Sequence, residues 1–281
     1  MPRHLLFITT HNLATNPRVY KEVRLALQHG FTVTLICFEF EHWSKKIDEQ
    51  LLKTISGAQI IQIPAGRKPL LPWLKSVVTE KLFRWLGKGI KLPVSWQAGA
   101  VSRRNQLLIK AIQKVQSADW VIGHNPGALF ATWYAAQQLS AKAGFDVEDY
   151  HPGEGDEGYL SQVTLQLMER LLPKMNYCSF ASPLIMQETA LTIQPTPRWF
   201  TVLNYFSKTE FTRPALIQNK IKLVWFSQNI NVGRGLELIL PQIKQLAEQV
   251  ELHLIGNMHP QFQQTYLTDA VNVFVHPPLA Q

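Results

Sequence analysis

HLLFITTHNLATNPRVYKEVRLALQHGFTVTLICF, residues 4–38, holds the pattern that decides the fold. His4 to Thr10 reads as a buried strand, and HNLATN after it as a polar loop. Asn16 suits a helix cap, Pro17 the first helical position and Gly30 the C-terminal stop. Between them Val19, Val23, Ala26 and Leu27 recur on one face. Phe31 to Phe38, rich in β-branched residues, is a second strand. Strand, helix and strand in close succession predict a βαβ unit, and with it a parallel sheet covered by helices.

The same alternation continues outward. Strands are expected at Ala58–Ile63, Trp120–Ile122, Ala143–Val147, Tyr177–Ala181 and Phe200–Leu203, and helices at Gln106–Gln116, Leu129–Ser140 and Leu160–Leu172. After the polar segment Ser207–Lys220 the pattern restarts. Strands are expected at Ile221–Phe226, Val250–Ile255 and Val271–Val275, with a helix at Gly235–Glu248. A chain of 281 residues fits two domains, here placed at 1–210 and 211–281. The second is shorter than the roughly 100–150 residues usual for such a domain, so it reads as the opening of one.

Composition narrows the partners. Lys and Arg number 28 against 20 Asp and Glu, a formal charge of +8, yet only 17% of residues are charged. Positive charge on so few ionic residues must be local, and it points to phosphates, nucleic acid or anionic lipid. A hydrophobic share of 46% excludes intrinsic disorder. Two cysteines, Cys37 and Cys178, are too few for a disulfide framework and suggest a reducing, cytoplasmic setting. No run approaches the roughly 18 apolar residues of a transmembrane helix, and Leu5–Ile8 is too short for a signal peptide.

The charge concentrates between Gly66 and Lys110, where Glu80 is the only acid among ten basic residues. Leu74, Val77, Val78, Leu82, Trp85 and Leu86 share one helical face there, with Trp73 and Phe83 at its edge and Lys75, Lys81, Arg84 and Lys88 mostly off it. Such a helix either lies on an anionic membrane surface or packs on its own domain behind a basic rim. Both readings stay open. No nucleic-acid recognition motif accompanies the charge, so nucleic acid is not expected as a partner.

Candidate site residues cluster after strands, where open parallel sheets bind ligands. The loop His11–Arg18 leads into a helix N-terminus without a G-x-G-x-x-G fingerprint. Within it Arg18 could meet a phosphate or simply pair with Glu22 one turn on. His124 follows a strand directly and can donate, accept or titrate near neutrality. FDVEDYHPGEGDEGY (145–159) gathers Asp146, Glu148, Asp149, His151, Glu154, Asp156 and Glu157. Its spacing matches no metal cage, and Asp149 and His151 are better suited to binding an acceptor hydroxyl. In the second domain, Arg234-Gly235 opens a helix and Gly256 ends a strand, both suited to a diphosphate.

Taken in order, these segments resemble the retaining GT-B glycosyltransferases of glycosyltransferase family 4. The likeness rests on the opening strand with Asn16-Pro17-Arg18, and on DWVIGHNP (119–126), similar to the family's D-V-I-H-x-H-x-P. It continues through FDVEDYHPGE (145–154), TVLN (201–204), LVWFSQNINVGRGLEL (223–238) and LHLIG (252–256). The resemblance implies a GT-B fold: a Rossmann-like parallel-sheet acceptor domain and an incomplete second Rossmann-like domain for a nucleotide-sugar donor. It implies transfer of a sugar from a nucleotide-diphospho-sugar to an acceptor hydroxyl with retention, without cofactor or obligatory metal, in polysaccharide or glycolipid assembly.

By position, His124 would hydrogen-bond the transferred sugar, with Asn12, Thr15, Arg18, Asp149 and His151 on the acceptor side. Asn204, Gln228, Arg234 and Gly256 would face the donor, Arg234 standing where the family has a lysine against the leaving diphosphate. The acceptor would be a saccharide or a lipid-linked saccharide, and the protein peripheral on the inner face of the membrane. Two departures stand out. Ser227-Gln228 replaces the arginine expected after the first donor-domain strand, and the family's E-x7-E segment is expected beyond residue 281. A non-catalytic GT-B domain binding a partner or membrane, and a nucleotide-sugar epimerase on the same fold, remain alternatives.

Overall fold

A computed structural model describes residues 3–153, 158–196, 198–206, 208 and 220–278. The chain divides into two compact units, Met1–Tyr205 and Phe206–Gln281.

The first unit is built on a seven-stranded, wholly parallel sheet. Its elements are β1 (His4–Thr9), α1 (Pro17–Gln28), β2 (Thr32–Glu39), α2 (Lys45–Thr54), β3 (Gln59–Pro64), α3 (Leu70–Gly87), α4 (Val94–Val101) and α5 (Arg104–Ile112). They continue with β4 (Trp120–His124), α6 (Pro126–Gln138), β5 (Lys142–Val147), α7 (Tyr159–Leu171), β6 (Tyr177–Phe180), α8 (Pro183–Thr192) and β7 (Trp199–Thr201). The expected α/β class is what the structure shows. The predicted cap also forms: Asn16 Oδ1 accepts from the Val19 amide, and Gly30, at φ +76°, turns the chain into β2.

Alternation along each strand sorts the core into two layers. Leu5, Phe7, Val33 and Leu35 pack with Val19 and Val23 of α1 on one face. Leu6, Ile8, Ile36, Phe38 and Phe145 face the helices on the other, including the alanines of α6 and Leu167 and Leu171 of α7.

The strand order β3-β2-β1-β4-β5-β6-β7 fixes where a ligand can sit. The chain winds outward from β1 to β3, then returns to place β4 on the other side of β1. Between β1 and β4 the connections diverge, opening a crevice at their carboxyl ends. The register sets Thr9 beside His124 and His124 beside Asp146, so three polar residues lie in one row at the carboxyl ends of three adjacent strands, Thr9 and His124 as last residues and Asp146 one before.

Four helices were not expected from the sequence: α2, α4, α8 and α10 (Pro260–Tyr266). α2 is a short polar helix, and α4, with the sequence VSWQAGAV, has no amphipathic period because Gln97, Ala98, Gly99 and Ala100 are all buried. The second unit contains β8 (Ile221–Ile230), α9 (Leu236–Gln245), β9 (Val250–Met258), α10 and β10 (Val273–His276). Its three parallel strands run in the order β10-β9-β8 over a core that includes Ile230, Leu236, Leu252, Leu254 and Phe262.

The basic helix of the sequence is α3, and its expected apolar face is split. Trp73, Val77, Phe83 and Leu86 turn inward to varying degrees, with Phe83 stacked on Trp96 of α4 at 4.9 Å. Leu74, Val78, Leu82 and Trp85 stay exposed. Packing on the domain and an open apolar face therefore coexist in one helix.

Candidate active site

At the crevice, Asn125 carries the local geometry. It follows His124 with φ +68° and ψ 143°, a conformation that costs a non-glycine residue of order 1–3 kcal/mol. Side-chain bonds hold it there. Asn125 Oδ1 accepts from Thr9 Oγ1 at 2.7 Å, and Nδ2 donates to Glu148 Oε2 at 3.2 Å. The α6 helix then begins at Pro126 with His124 fixed behind it.

His124 is fully buried among carboxylates. Its Nδ1 lies 2.9 Å from Glu148 Oε1 and 3.6 Å from Asp146 Oδ2, while Nε2 lies 3.3 Å from Glu22 Oε2. Burial alone disfavours the imidazolium, but the pull of Glu22, Glu148 and Asp146 outweighs it and raises the His124 pKa well above its ordinary value. The ring is thus held between acids on two sides. Nε2 makes no hydrogen bond of acceptable geometry despite the nearby Glu22 oxygen.

Arg18 answers neither sequence expectation. It pairs with Asp146, not with Glu22 and not with an open phosphate position: Nε donates to Oδ2 at 2.6 Å and Nη2 to Oδ1 at 2.8 Å. Nη1 donates to the Val202 carbonyl, and Ser179 Oγ donates to Asp146 Oδ1. A fork-to-fork pair of this kind is stronger than a neutral hydrogen bond and fixed in direction. Glu22, His124 and Asp146 offer ligand atoms within 4.8 Å of one another, close enough for a metal ion. Both oxygens of Asp146 already accept from Arg18, so a guanidinium occupies them instead.

The remaining acceptor-side candidates separate. Asn12 is buried and spent on its own loop, accepting from the Thr15 amide and hydroxyl and donating to Ser44. Thr15 is partly buried beside it. Asp48 of α2 closes the loop by accepting from the Leu13 and Ala14 amides. Asp149 and His151 leave β5 at the crevice, Asp149 exposed and His151 opening a 3-10 turn. In this acidic segment, Asp146 and Glu148 are the residues the fold joins to His124; Glu154, Asp156 and Glu157 lie outside the described residues.

Sequence reading passed over Glu22, Asn125 and Arg104 as site residues. Arg104 Nη1 donates to the Thr10 carbonyl, and its guanidinium lies 4.6 Å from the centre of the Phe40 ring. Burial, together with Arg103, pushes its pKa down to about 10. Neighbouring His11 is lowered as well, chiefly by burial. The signal for Arg104 was present in the Arg103-Arg104 pair, but only the return of α5 to the end of β1 places it.

The second unit carries the donor-side candidates apart from Asn204, which belongs to the first unit and accepts from Lys21 Nζ at 2.8 Å. β8 breaks register between Phe226 and Asn229, lifting Ser227 and Gln228 out of the ladder. Arg234 Nη1 donates to Ser227 Oγ at 3.0 Å, and the Gln228 carbonyl accepts from Asn257. Gly256, at φ +152°, lies so close to β8 that a Cβ would run into the Ser227 carbonyl oxygen. Glu237 accepts from the Gly233 amide at 2.6 Å, and backbone N–H groups hold its pKa down. A half-buried carboxylate thus occupies the amides that the sequence suggested for a diphosphate.

No family model and no curated protein matches the sequence. Among solved structures, Anabaena HepE in complex with UDP and glucose superposes with a TM-score of 0.65 at 12% identity, covering 98% of this chain and 69% of that one. A mutant of S. aureus TarM, solved with fondaparinux, alpha-GlcNAc-glycerol and UDP, gives 0.63 at 9% identity, covering 98% and 78%. Phytolacca americana UGT2, complexed with UDP-2fluoro-glucose and pterostilbene, gives 0.56 at 12% identity, covering 100% and 72%. The fold is that of the GT-B glycosyltransferases. At such identities this GT-B likeness speaks for architecture, and the chemistry must come from the residues above.

Proposed function

We propose that the protein transfers a sugar from a nucleotide-diphospho-sugar, a UDP-sugar in the first instance, to an acceptor hydroxyl with retention at the anomeric carbon. The observation that carries this reading is a buried histidine ring at the β1/β4 crevice whose Nε2 lacks a hydrogen bond. Glu22 beside it is 31% exposed and can swing away, leaving Nε2–H free to donate to a sugar hydroxyl. Arg18, Asp146 and Glu148 then hold the ring in place from behind. In the second unit, Arg234 and the Gly233–Gly235 amides would neutralise the leaving diphosphate once Glu237 is displaced. The acceptor oxygen bonds to the anomeric carbon, the bond to the diphosphate breaks, and the acceptor proton leaves with the nucleoside diphosphate. No metal or cofactor is invoked.

Family resemblance and GT-B architecture support a place in polysaccharide or glycolipid assembly. The exposed apolar side of α3, with its lysines, supports attachment to the inner face of a membrane. No helix among the described residues is long and apolar enough to cross one. The test is a panel of nucleotide-sugars offered with saccharide and lipid-linked acceptors, scored for nucleoside diphosphate release and by NMR for anomeric configuration. An α-linked product from an α-linked donor is expected. Inversion would overturn retention, release of epimerised donor without acceptor would favour an epimerase, and inertness with every donor would leave a binding module.

A further inference from the structure

At the C-terminal end of α3 lies an open cavity of about 600 Å³, lined by residues 87–92, Gln97 of α4 and α7 from Tyr159 to Arg170. Lys88, Lys91 and Arg170 line it, against the single acid Glu169. Arg170 is held in place: Nη1 donates to the Leu92 carbonyl and to Gln97 Oε1. Tyr159 presents a buried hydroxyl with no hydrogen-bond partner. The cavity lining is therefore mixed polar and apolar, with basic side chains outnumbering its one acid.

The outer side of α3 is apolar. Leu71, Leu74, Val78, Leu82 and Trp85 recur every three or four residues on the outer side of α3, and Leu71 and Trp85 are 79% and 70% exposed. Along the chain the stripe ends at Trp85, two residues before Gly87 opens the cavity lining, and exposed Ile90 lines the cavity itself. Lys75, Lys81, Lys88 and Lys91 border the stripe without an ion pair among the described residues, while Glu80 is turned to Arg84 and the Arg103 amide. An apolar strip followed along the chain by a recess with an excess of basic side chains matches an amphiphile with an anionic head. It does not match a neutral glycan, which has no use for the strip, or a free anion, which has no use for it either.

We propose that this cavity binds the phosphate head of a lipid phosphate, with the chain lying along the exposed side of α3. The inference rests on the glycosyltransferase reading insofar as it makes that lipid the carrier of the acceptor. Lys88 and Lys91 supply the charge, Tyr159 Oη a hydrogen bond, and the stripe the selectivity for a chain.

Farnesyl phosphate, farnesol and inorganic phosphate, titrated separately and followed by calorimetry and Trp fluorescence, test it without any donor. Farnesyl phosphate should bind about tenfold or more tighter than either of the others. Lys88→Gln with Lys91→Gln should remove that preference while farnesol binding is kept. Val78→Gln with Leu82→Gln should weaken both lipids. All four positions are exposed, so unchanged melting temperatures will show that the variants fold. Equal affinity for farnesol and farnesyl phosphate, equal affinity for inorganic phosphate, or indifference to the lysine variants would each overturn the proposal. Farnesyl phosphate binding by a protein inert toward every nucleotide-sugar would support the cavity and remove the transferase reading. Transfer to a soluble glycan by a protein that ignores farnesyl phosphate would do the reverse.

Discussion

Arg18 and Asp146 are the pair on which the crevice is built, with side chains 9% and 1% exposed. Removing one partner strands the other in a low-dielectric interior, which costs far more than the net worth of the pair. Arg18→Ala or Asp146→Asn should therefore lower stability by about 3–5 kcal/mol, read as a fall in the urea midpoint. His124 makes a second, pH-dependent contribution. Its folded pKa lies well above the ordinary 6.5, so protonation favours the folded state. That stability is fully present below about pH 6.5 and is lost as pH rises through the raised value. Urea midpoints measured between about pH 5 and 9 should fall at the alkaline end in the wild type, and His124→Gln should flatten that slope. That His124 stands at a strand's carboxyl end was legible in DWVIGHNP, although it ends β4 instead of following it, and its carboxylate partners were not legible. Glu22 and Glu148 lie 102 and 24 residues away in sequence, and no local pattern says that they meet it.

At the scale of elements, α3 shows how a helix can carry two surfaces. Phe83 sits on Trp96 and against Gly99, so α4 supplies the wall that half-buries this residue. Leu82, next to it in sequence, faces out at 47% exposure. Phe83→Ala should cost roughly 3 kcal/mol, and Leu82→Ala should stay within about 0.5 kcal/mol, in thermal or urea unfolding. Equal losses at both sites would mean that the outer side is packed after all. Periodicity located the helix correctly but assigned Leu82 and Leu86 to one face, because hydrophobicity does not say which neighbour covers it. The neighbour, α4, was itself invisible: with Gln97, Ala98, Gly99 and Ala100 buried through a full turn, it lacks the polar face from which a helix is recognised.

Across the whole molecule, the two layers that sandwich the seven-stranded sheet draw only on residues of the first unit, and the second unit has a core of its own. A chain ending at Tyr205 should therefore fold cooperatively, with near-native circular dichroism and a single urea transition. A molten, non-cooperative fragment would show that the second unit is needed to complete the first. What the sequence by itself determined is the alternation of strand and helix, hence a parallel α/β architecture, because burial on both faces imposes runs and periods that are local. It did not determine where strands end. β4 runs on to His124, β8 to Ile230 and β9 to Met258, which puts Gly256 inside a strand, because pairing with neighbouring strands extends the ladder past the apolar run. The tertiary structure alone decided which charges meet at the crevice. Strand register brings residues 9, 124 and 146 into a row, and Arg18 and Glu22 reach them from a helix that precedes β4 by about a hundred residues. Electrostatic pairing depends on distances of a few ångströms between residues remote along the chain, and only the closed fold sets those distances.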